Sequence, residues 1–588
     1  MDVIMQVKTV DLLIKFITGN FNKISAYDYF PTKGKFYPRK ESDNFPRATP
    51  ESQGIDSNDI TGFLNSIEKK KISINNFVML RHGKIVAEGS FAPYKKEYPQ
   101  MLFSMSKSVV STAIGMLIDE GALSLDEKIY DIFKEDAPPV TVIWQRKITV
   151  RHLLTMTSGI HFNEAGSVTD KDWVKAYLAH IPVSRPGKEF YYNSMNTYML
   201  SAIVKKKTGK NVSEYLTKKL FEPLNIKDFT WEKSPKGIEK GGWGLSLNVL
   251  DIAKIGQLYL QNGQWDVNGK QTRLISEEWI REATSNHIDS DKEVVKDGYG
   301  YSIWGGPTIG SYQFNGAFGQ HMVISPKRDM VIALTSGSQT MFTQGKASDL
   351  IKEFLGKSSF APGIESIPEN KEAYAKLKDT ISKLRAVKFK DVKTQGEKKP
   401  EREIFRAAKT KYDDKAFSLS ETRGGILPLV LQSLNINFSK GVSAAKFSFK
   451  RDSCFIQLNE GKDINVIKIG LNEKINYSDV SINGEVYTIG TIGKWFEENE
   501  EVVLKVFCFF IETPSVRIFK FIFKGDKLKI RFNERPSVLG SVNMLLELLE
   551  GPDSLYKKVM NEAISRKQLR KRVIGLVMPE AEGTLIQD

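Results

Sequence analysis

Residues 103–125, which read FSMSKSVVSTAIGMLIDEGALSL, form the stretch that decides how the rest of the chain is interpreted. The stretch contains Ser104-Met-Ser-Lys107, continues as an apolar run and stops at Gly121. A serine and a lysine at i and i+3 lie on one face of a helix, where they can act as nucleophile and base. The apolar run predicts a buried helix. Burial at its start would favour the neutral, proton-accepting form of Lys107.

The Ser-x-x-Lys pattern by itself leaves two interpretations open. It is common in proteins, and a helix cap followed by a solvated lysine explains it as well as catalysis does. If it is catalytic, Ser104 at the helix N-terminus would lie among unpaired N–H groups that favour a developing oxyanion. The rest of the sequence has to decide between the two.

Length and composition indicate a soluble protein with several domains. The chain has 588 residues, with 41% hydrophobic and 26% charged residues, so two or three domains are expected. The net charge of +15 is spread along the chain, and no basic stripe is interleaved with aromatic residues. We therefore expect no nucleic-acid partner.

The cysteines and the N-terminus predict a cytoplasmic protein. Cys454 and Cys508 have no metal-type spacing and are expected to be buried free thiols. Asp11 and Lys15 interrupt the apolar part of the N-terminus, so we expect that it is not a signal peptide. No apolar run is long enough for a spanning helix.

Hydrophobic periodicity predicts an α+β domain followed by a β-rich domain. A hairpin is expected around Gly83 and an antiparallel meander between Tyr299 and Thr335, with helices between them. Short strand-like runs from about 413 onward predict a β-barrel or sandwich. The predicted divisions are a 1–45 N-terminal extension, a 46–356 hydrolase-like domain, a 357–412 charged helical linker, a 413–550 β-rich domain and a 551–588 basic helical tail.

The motifs together resemble the serine β-lactamase and penicillin-binding-protein superfamily. The resemblance rests on Ser104-Met-Ser-Lys107, on Tyr192 after Pro186-Gly187, and on Gly316-Ala-Phe-Gly319. Within the superfamily the chain most resembles class C-like esterases and 6-aminohexanoate-dimer hydrolases. The resemblance implies a β-lactamase/transpeptidase-like fold, in which an antiparallel sheet accompanies an all-α subdomain. The β-rich region from 413 resembles lipocalin-like domains appended to such hydrolases.

Two motifs depart from the family pattern. The second motif is usually Tyr-x-Asn, whereas Tyr192-Asn-Ser194 has serine in third place; Tyr191 fits the pattern but lies one residue too close to Gly187. The third motif normally begins with lysine or histidine, and here it is Phe314-Asn-Gly316. The cation that would hold a substrate carboxylate is missing, unless another cation such as Arg185 or Lys188 replaces it.

The resemblance implies roles for individual residues. Ser104 would be the nucleophile, Lys107 the base and Tyr192 a proton carrier whose phenolate a charged Lys107 would favour. The backbone N–H groups of Ser104 and Ala317 would form the oxyanion hole. Ser194 and the third motif, Phe314, Asn315 and Gly316, would contact substrate. No metal and no cofactor are implied.

The predicted function is hydrolysis of a small ester or linear amide through a Ser104 acyl-enzyme. A non-catalytic binding or sensor protein of the same fold, and a D-Ala-type peptidase, stay open as alternatives. The expected partner is the small-molecule substrate. Weak contact of the basic tail with an anionic surface also stays open, since residues 555–575 contain seven Lys/Arg against one Glu. The sequence does not determine the oligomeric state.

Overall fold

The protein is described here from a computed structural model, in which the chain forms two compact units. The residues described are Asp11, Lys15, Pro31, Asp43, 33–38, 45–288, 298–339, 345–357, 362–385, 400–422, 424–451, 453–537 and 578–586. The first unit takes the described residues within 1–12, 39–90 and 96–383, and the second takes those within 13–38, 91–95 and 384–588.

The first unit is built on an antiparallel sheet. The strands of the unit are β1 (Ile74–Arg81), β2 (Lys84–Ser90), β3 (Gln100–Met101), β4 (Thr230–Trp231), β5 (Leu245–Leu247), β6 (Gln264–Val267), β7 (Lys270–Arg273), β8 (Trp304–Gly305), β9 (Tyr312–Gly316), β10 (Gln320–Ser325) and β11 (Met330–Ser336). The main sheet has the order β2-β1-β11-β10-β9-β8. Strands β1, β10 and β11 are buried along their whole length, so both faces of the sheet are covered.

The predicted hairpin and meander are confirmed, except for the first strand of the meander. Instead of a strand over Tyr299–Trp304, only Trp304–Gly305 pairs with β9. Ser302 has φ of 59°, in the left-handed region, and this interrupts the extended conformation that a strand requires.

Helices make up the rest of the first unit. They are α1 (Ser57–Lys69), α2 (Ser106–Asp119), α3 (Ile129–Ile132), α4 (Val142–Gln145), α5 (Val150–Leu154), α6 (Glu164–Thr169), α7 (Trp173–Leu178), α8 (Ser194–Thr208), α9 (Val212–Leu216), α10 (Val249–Leu260), α11 (Glu277–Thr284), α12 (Gly345–Leu355) and α13 (Lys371–Lys383). Every residue of α2 from Ser106 to Leu117 is buried, as its sequence predicts. Trp279 packs so closely on Gly115 that a β-carbon there would lie 2.4 Å from the indole.

The second unit is a nearly closed antiparallel barrel of ten strands. Its elements are α14 (Glu401–Tyr412), β12 (Lys415–Leu419), α15 (Leu429–Asn435), β13 (Val442–Lys450), β14 (Ser453–Glu460), β15 (Asp463–Ile469), β16 (Asn476–Ile482), β17 (Glu485–Glu498), β18 (Glu501–Phe510), β19 (Val516–Lys524), β20 (Lys527–Arg535) and β21 (Glu580–Leu585). The strand order begins at β15 and ends at β16. Asn465 joins these two ends, because its amide donates to the Ser481 carbonyl at 2.9 Å and accepts from the Ser481 N–H at 2.7 Å.

Aromatic side chains fill one part of the barrel core. Phe447 lies 4.9 Å from Phe523 and 5.4 Å from Phe521, and Trp495 stacks on Phe523 at 5.7 Å. Tyr412, at the end of α14, packs on Phe523 at 4.6 Å. The structure thus confirms a barrel and not a sandwich. The likeness to lipocalins stays a prediction.

The predicted linker over 357–412 is helical in its described residues, as expected, and its two helices each pack within one of the units. Helix α13 belongs to the first unit, where it buries Ala373 and Leu377. Helix α14 belongs to the second unit, where Glu401 accepts the Trp495 N–H at 3.0 Å. The charged composition reflects the exposed faces of these helices, and the apolar residues form a narrow stripe on each.

The prediction of a basic helical tail over 551–588 is wrong for its last described residues, which form a strand. Residues 578–586 contain β21, which pairs with β12 and β20 and completes the barrel between them. Residues 551–577, and most of the predicted N-terminal extension, lie outside the described residues. Cys454 and Cys508 are buried free thiols, as expected. Within the described parts of the chain, no helix is long and apolar enough to cross a bilayer.

Candidate active site around Lys107

Lys107 lies at the centre of a small polar cluster inside the first unit. The side chain is 1% exposed, and its Nζ is 2.9 Å from Ser104 Oγ, 2.9 Å from Ser194 Oγ and 2.6 Å from the Gly242 carbonyl oxygen. The structure therefore brings the first-motif serine and lysine together, as their helical spacing predicts. It also adds a partner from each of two distant segments.

Burial changes the protonation of Lys107. Loss of solvent lowers the pKa of its ammonium to about 7, while the charge of Glu164 acts in the opposite direction. Near neutral pH a large share of Lys107 is therefore neutral, with two N–H donors and one lone pair. Since the Gly242 carbonyl can only accept, and Ser194 can accept the second N–H, the lone pair is available to the Ser104 hydroxyl.

Ser104 is held in a strained turn in front of α2. It lies in the 3-10 turn Phe103–Met105, and Phe103 has φ of 51°, which is costly for a bulky residue. Ser106 Oγ donates to the Phe103 carbonyl at 2.7 Å, and the Phe103 ring packs on Phe318 at 5.1 Å. These contacts fix the backbone that presents Ser104 to Lys107.

Tyr192 lies beside Lys107, whereas Tyr191 is engaged elsewhere. The Lys107 Nζ is 4.9 Å from the centroid of the Tyr192 ring, and that ring stacks on Trp304 at 5.5 Å. Tyr191 stacks instead on His161 at 3.9 Å. The structure therefore places the ring of Tyr192, and not that of Tyr191, beside Lys107.

The expected phenolate of Tyr192 is not favoured by its surroundings. Burial raises the pKa of Tyr192 well above its usual range, and an interaction with the Ser104 hydroxyl offsets only part of this. The low pKa of Lys107 also removes much of the positive charge that was expected to stabilise a phenolate. Tyr192 is therefore a neutral phenol, and Lys107 is the better base of the pair.

Ser194 contacts Lys107 and not an open surface, which differs from its predicted place in substrate binding. It is the first residue of α8, whose N-terminus is capped by Asn193, because Asn193 Oδ1 accepts the Met195 N–H at 2.8 Å. The Asn193 amide also donates to the Ile160 carbonyl at 2.8 Å. Ser194 thus occupies the third position of the second motif, where the family pattern has the longer side chain of asparagine.

Gly242 and Glu164 were not found from the sequence. A β-carbon at Gly242 would lie 2.6 Å from the Ser194 carbonyl oxygen, so only glycine permits this close approach. The run Gly241-Gly-Trp-Gly244 was a usable signal, since clustered glycines often mark close backbone contacts. Glu164 begins the short helix α6, and nothing in its local sequence indicated that its charge reaches Lys107.

The third motif lies on β9, next to the turn that carries Ser104. A β-carbon at Gly316 would lie 2.1 Å from the Leu102 carbonyl oxygen, so the strand and the turn touch through the glycine. Ala317 follows directly after β9. Asn315 lies on the opposite face of the strand from Gly316, with Nδ2 3.5 Å from His321 Nδ1.

Phe314 is placed differently from its predicted role in substrate contact. Its ring is 1% exposed and packs edge to face on Tyr259 of α10, with centroids 5.1 Å apart. The Tyr259 hydroxyl is in turn hydrogen-bonded to Thr112 of α2 at 2.8 Å. Phe314 points to the same face of the sheet as Gly316, but its ring is buried in the core between the sheet and the helices.

Replacing Phe314 by alanine is therefore expected to affect stability and not selectivity. Phe314→Ala should lower the free energy of unfolding of the first unit by about 3–5 kcal/mol, because it leaves a cavity beside Tyr259. The ratio of turnover on a neutral ester to turnover on its carboxylate-bearing analogue should not change. Calorimetry and steady-state kinetics measure the two effects. A stable variant with an altered ratio would show that Phe314 reaches the substrate after all.

Aromatic side chains line the side of the cluster next to Tyr192. Trp304 contacts Tyr299 at 4.4 Å and Phe190 at 6.0 Å, and Phe190 packs edge to face on Tyr299 at 5.2 Å. Tyr299 is buried, whereas Phe190 and Trp304 are each half-buried, so these two rings are the ones that can offer apolar contact to a bound group.

Comparison with known proteins agrees with the fold and the motifs. The family described as Beta-lactamase matches residues 75–355. A 6-aminohexanoate-dimer hydrolase from Paenarthrobacter ureafaciens is 24% identical over 336 residues, covering 52% of this chain and 84% of its own length. Esterase EstB from Burkholderia gladioli is 28% identical over 177 residues, covering 26% of this chain and 45% of its own length.

Among solved structures, a putative 6-aminohexanoate-dimer hydrolase from Bacillus anthracis superposes with a TM-score of 0.46 at 19% identity, covering 61% of this chain and 95% of its own. The family match covers the sheet, Ser104, Lys107, Tyr192 and the third motif. Residues 75–355 of this chain therefore match the beta-lactamase family and have a β-lactamase/transpeptidase-like fold, and the chain is similar to 6-aminohexanoate-dimer hydrolases and esterases.

Proposed function

We propose that the first unit is a serine hydrolase that cleaves small neutral esters or linear amides through an acyl-enzyme on Ser104. The observation that supports this most is the contact of a buried lysine, whose pKa lies near 7, with the hydroxyl of Ser104 at 2.9 Å. A structural lysine would be expected to have a carboxylate partner when fully buried. Lys107 instead contacts hydroxyl groups and a carbonyl.

Acylation begins with neutral Lys107. It takes the Ser104 proton as Oγ attacks the substrate carbonyl, and the carbonyl π electrons move to the oxygen. The backbone N–H groups of Ser104 and Ala317 are suited to receive this oxyanion, because Gly316 brings β9 against the Leu102 carbonyl. Collapse of the intermediate breaks the bond to the leaving group, which receives the phenol proton of Tyr192. Tyr192 regains a proton from the Lys107 ammonium.

Deacylation repeats the same transfers with water in place of Ser104. Neutral Lys107 accepts a proton from water through Tyr192 or directly, and the resulting hydroxide attacks the acyl carbon. The acyl–oxygen bond breaks, and Ser104 Oγ recovers its proton from Lys107. The cycle returns Ser104, Lys107 and Tyr192 to their starting protonation states.

Two features of the chain favour neutral substrates. Position 314 has no cation to hold a carboxylate, and the half-buried rings of Phe190 and Trp304 suit apolar acyl or alcohol groups. The two relatives are named a 6-aminohexanoate-dimer hydrolase and an esterase, which is compatible with a linear amide or an ester as the substrate. This combination speaks against β-lactams and D-Ala-type peptides as the main substrates.

The pH profile of hydrolysis should follow Lys107. Because the base must be unprotonated, kcat/KM should rise with pH through a midpoint near 7. The carboxylate of Glu164 stabilises the ammonium form, so Glu164→Gln should move this midpoint to lower pH. Glu164→Asp keeps the charge and should shift it less. Identical pH profiles for all three proteins would show that Lys107 is not the titrating base or that Glu164 does not reach it.

A fluorophosphonate probe tests the proposal directly. The native protein should be labelled on Ser104, and Ser104→Ala should not be labelled. Ser124→Ala, an exposed serine at the end of the same stretch, serves as the matched control and should be labelled like the native protein. A native protein that is not labelled and hydrolyses neither esters nor linear amides would support the non-catalytic binding protein instead.

A further inference from the structure

One lysine of the second unit lies between a buried carboxylate and the face of an aromatic ring. Lys33 Nζ forms an ion pair with the Glu512 carboxylate and lies 4.1 Å from the centroid of the Tyr487 ring. The Lys33 side chain is 16% exposed and that of Glu512 is 4% exposed. A cation in this position is held both by a charge-assisted hydrogen bond and by the quadrupole of the ring.

The barrel holds both of these groups in fixed positions. Tyr487 lies on β17, where its hydroxyl donates to the buried Glu485 carboxylate and accepts from the Asn435 amide at 3.4 Å. Glu512 lies in the turn 511–515 between β18 and β19, and every residue of this turn is buried. We call the side chains of Glu512, Tyr487, Glu485 and Asn435 the ammonium pocket. Its geometry is set by the barrel and not by the lysine that lies in it.

Lys33 satisfies the carboxylate of the ammonium pocket only in part. It donates to Oε2 of Glu512, whereas Oε1 is buried and receives no hydrogen bond from any of the described residues. Such an oxygen is costly, because it has lost its water without gaining a donor. A lysine that served only as a structural anchor would be expected to satisfy both oxygens. A free ammonium ion has three N–H donors and no tether, so it can bridge the two oxygens.

The segment that carries Lys33 buries few of its side chains. Among residues 33–38, which we call the strap, only Lys33 and Phe36 are half-buried, and the other four residues are exposed. Lys35 pairs with Asp479 at 2.7 Å, but both side chains are open to solvent, and such pairs add little stability. The strap can therefore leave the barrel without disturbing the barrel core.

We propose that the ammonium pocket is a binding site for a small primary alkylammonium ion, and that Lys33 occupies it as a tethered substitute for this ligand. The ligand's N–H groups bond both oxygens of Glu512, and its charge lies against the Tyr487 ring. A ligand that enters the pocket displaces Lys33 and releases the strap, so the contact of Lys33 is autoinhibitory. The proposal concerns the second unit alone and does not depend on the hydrolase chemistry proposed for the first.

The charges around the ammonium pocket favour a cation over an anion or a neutral ligand. Loss of solvent raises the pKa of Glu512, and the charge of Lys33 opposes this effect. The charge of Asp479 acts in the same direction as burial. A carboxylate in these surroundings is ionised at low cost only when a cation lies beside it. A ligand that replaces Lys33 must therefore bring a positive charge of its own.

Calorimetric titration of the full chain with n-propylammonium chloride at pH 8 tests the proposal. This ion replaces the atoms that Lys33→Ala removes, so the variant should bind it about tenfold or more tightly than the native protein, in which Lys33 competes. Adding Glu512→Gln to Lys33→Ala should abolish the gain. n-Propanol, which has the same chain without the charge, should not bind. Lys35→Ala is the matched control, because Lys35 lies on the same strap but outside the ammonium pocket, and it should keep the native affinity.

Three results would overturn the proposal. A folded Lys33→Ala protein that binds n-propylammonium no better than Lys35→Ala does would make the pair of Lys33 and Glu512 a structural anchor only. Equal binding of n-propanol and n-propylammonium would indicate an apolar crevice without selectivity for an ammonium group. The third result covers a Lys33→Ala protein of low stability. Its melting temperature should rise with n-propylammonium and not with n-propanol, and a melting temperature that does not respond would also contradict the site.

Discussion

Lys107→Ala is expected to lower kcat/KM by about 10²–10⁴-fold while the protein stays folded. The lysine is the base in contact with Ser104, so its removal leaves the hydroxyl without a proton acceptor. The fold should tolerate the change, since the variant also removes the cost of burying an ammonium group. Steady-state ester hydrolysis and the melting temperature, measured on the same preparation, check both parts.

A second lysine provides the control for Lys107. Lys205 on α8 also donates to a backbone carbonyl, that of Gly237 at 2.9 Å, but it has no contact with Ser104. Lys205→Ala should therefore hydrolyse esters at nearly the native rate. Near-native hydrolysis by a folded Lys107→Ala protein would show that another group activates Ser104.

Tyr192→Phe is expected to reduce turnover by about 10²-fold or more, and Tyr191→Phe by little. Only Tyr192 places its ring beside Lys107, and its neutral phenol is the proton donor proposed for the leaving group. Both substitutions keep the aromatic ring, so the stacking on Trp304 and on His161 should survive.

The leaving group separates the role of Tyr192 in chemistry from a role in packing. An ester with a good leaving group, such as a nitrophenol, needs no proton, so Tyr192→Phe should lose less activity on it than on an alkyl ester or amide. An equal loss on all three substrates would indicate packing. If Tyr191→Phe were the inactive variant, the register of the second motif would be one residue earlier.

Local patterns were sufficient to predict several parts of this protein. The i and i+3 spacing in α2 is fixed by helix geometry, so Ser104 and Lys107 had to share a face. Alternating and continuous apolar runs located β1, β10 and β11, because such strands must be buried on a packed sheet. The choice of Tyr192 over Tyr191 rested on its distance from the turn at Pro186-Gly187.

Other parts depend on contacts between distant residues and could not be read locally. The Gly242 carbonyl accepts a hydrogen bond from Lys107, which lies 135 positions away in the sequence. The charge of Glu164 likewise acts on the lysine only because the fold brings them near each other. The orientation of Phe314 depends on Tyr259, because the Phe314 ring packs on Tyr259 in the core. The left-handed Phe103 could not be foreseen either, since its side chain disfavours that conformation.

Two charged segments depend on distant contacts in the same way. The charged stretch around α13 and α14 was interpreted from composition, although a few apolar residues such as Leu377 and Ile404 are enough to dock each helix. Strand β21 lies after a long basic region, and only its pairing with β12 and β20 gives it a place in the barrel. Composition describes the exposed face of an element and says little about its partner.

The most direct test of the proposed acyl-enzyme is the mass of the protein during turnover. A slowly hydrolysed ester should be mixed with the native protein, quenched in acid and measured by intact-protein and peptide mass spectrometry. The proposed mechanism predicts one added acyl group on the peptide that contains Ser104, and no added mass on Ser104→Ala, which should also be inactive. Ester hydrolysis by Ser104→Ala at the native rate, with no acylated Ser104 in the native protein, would contradict it.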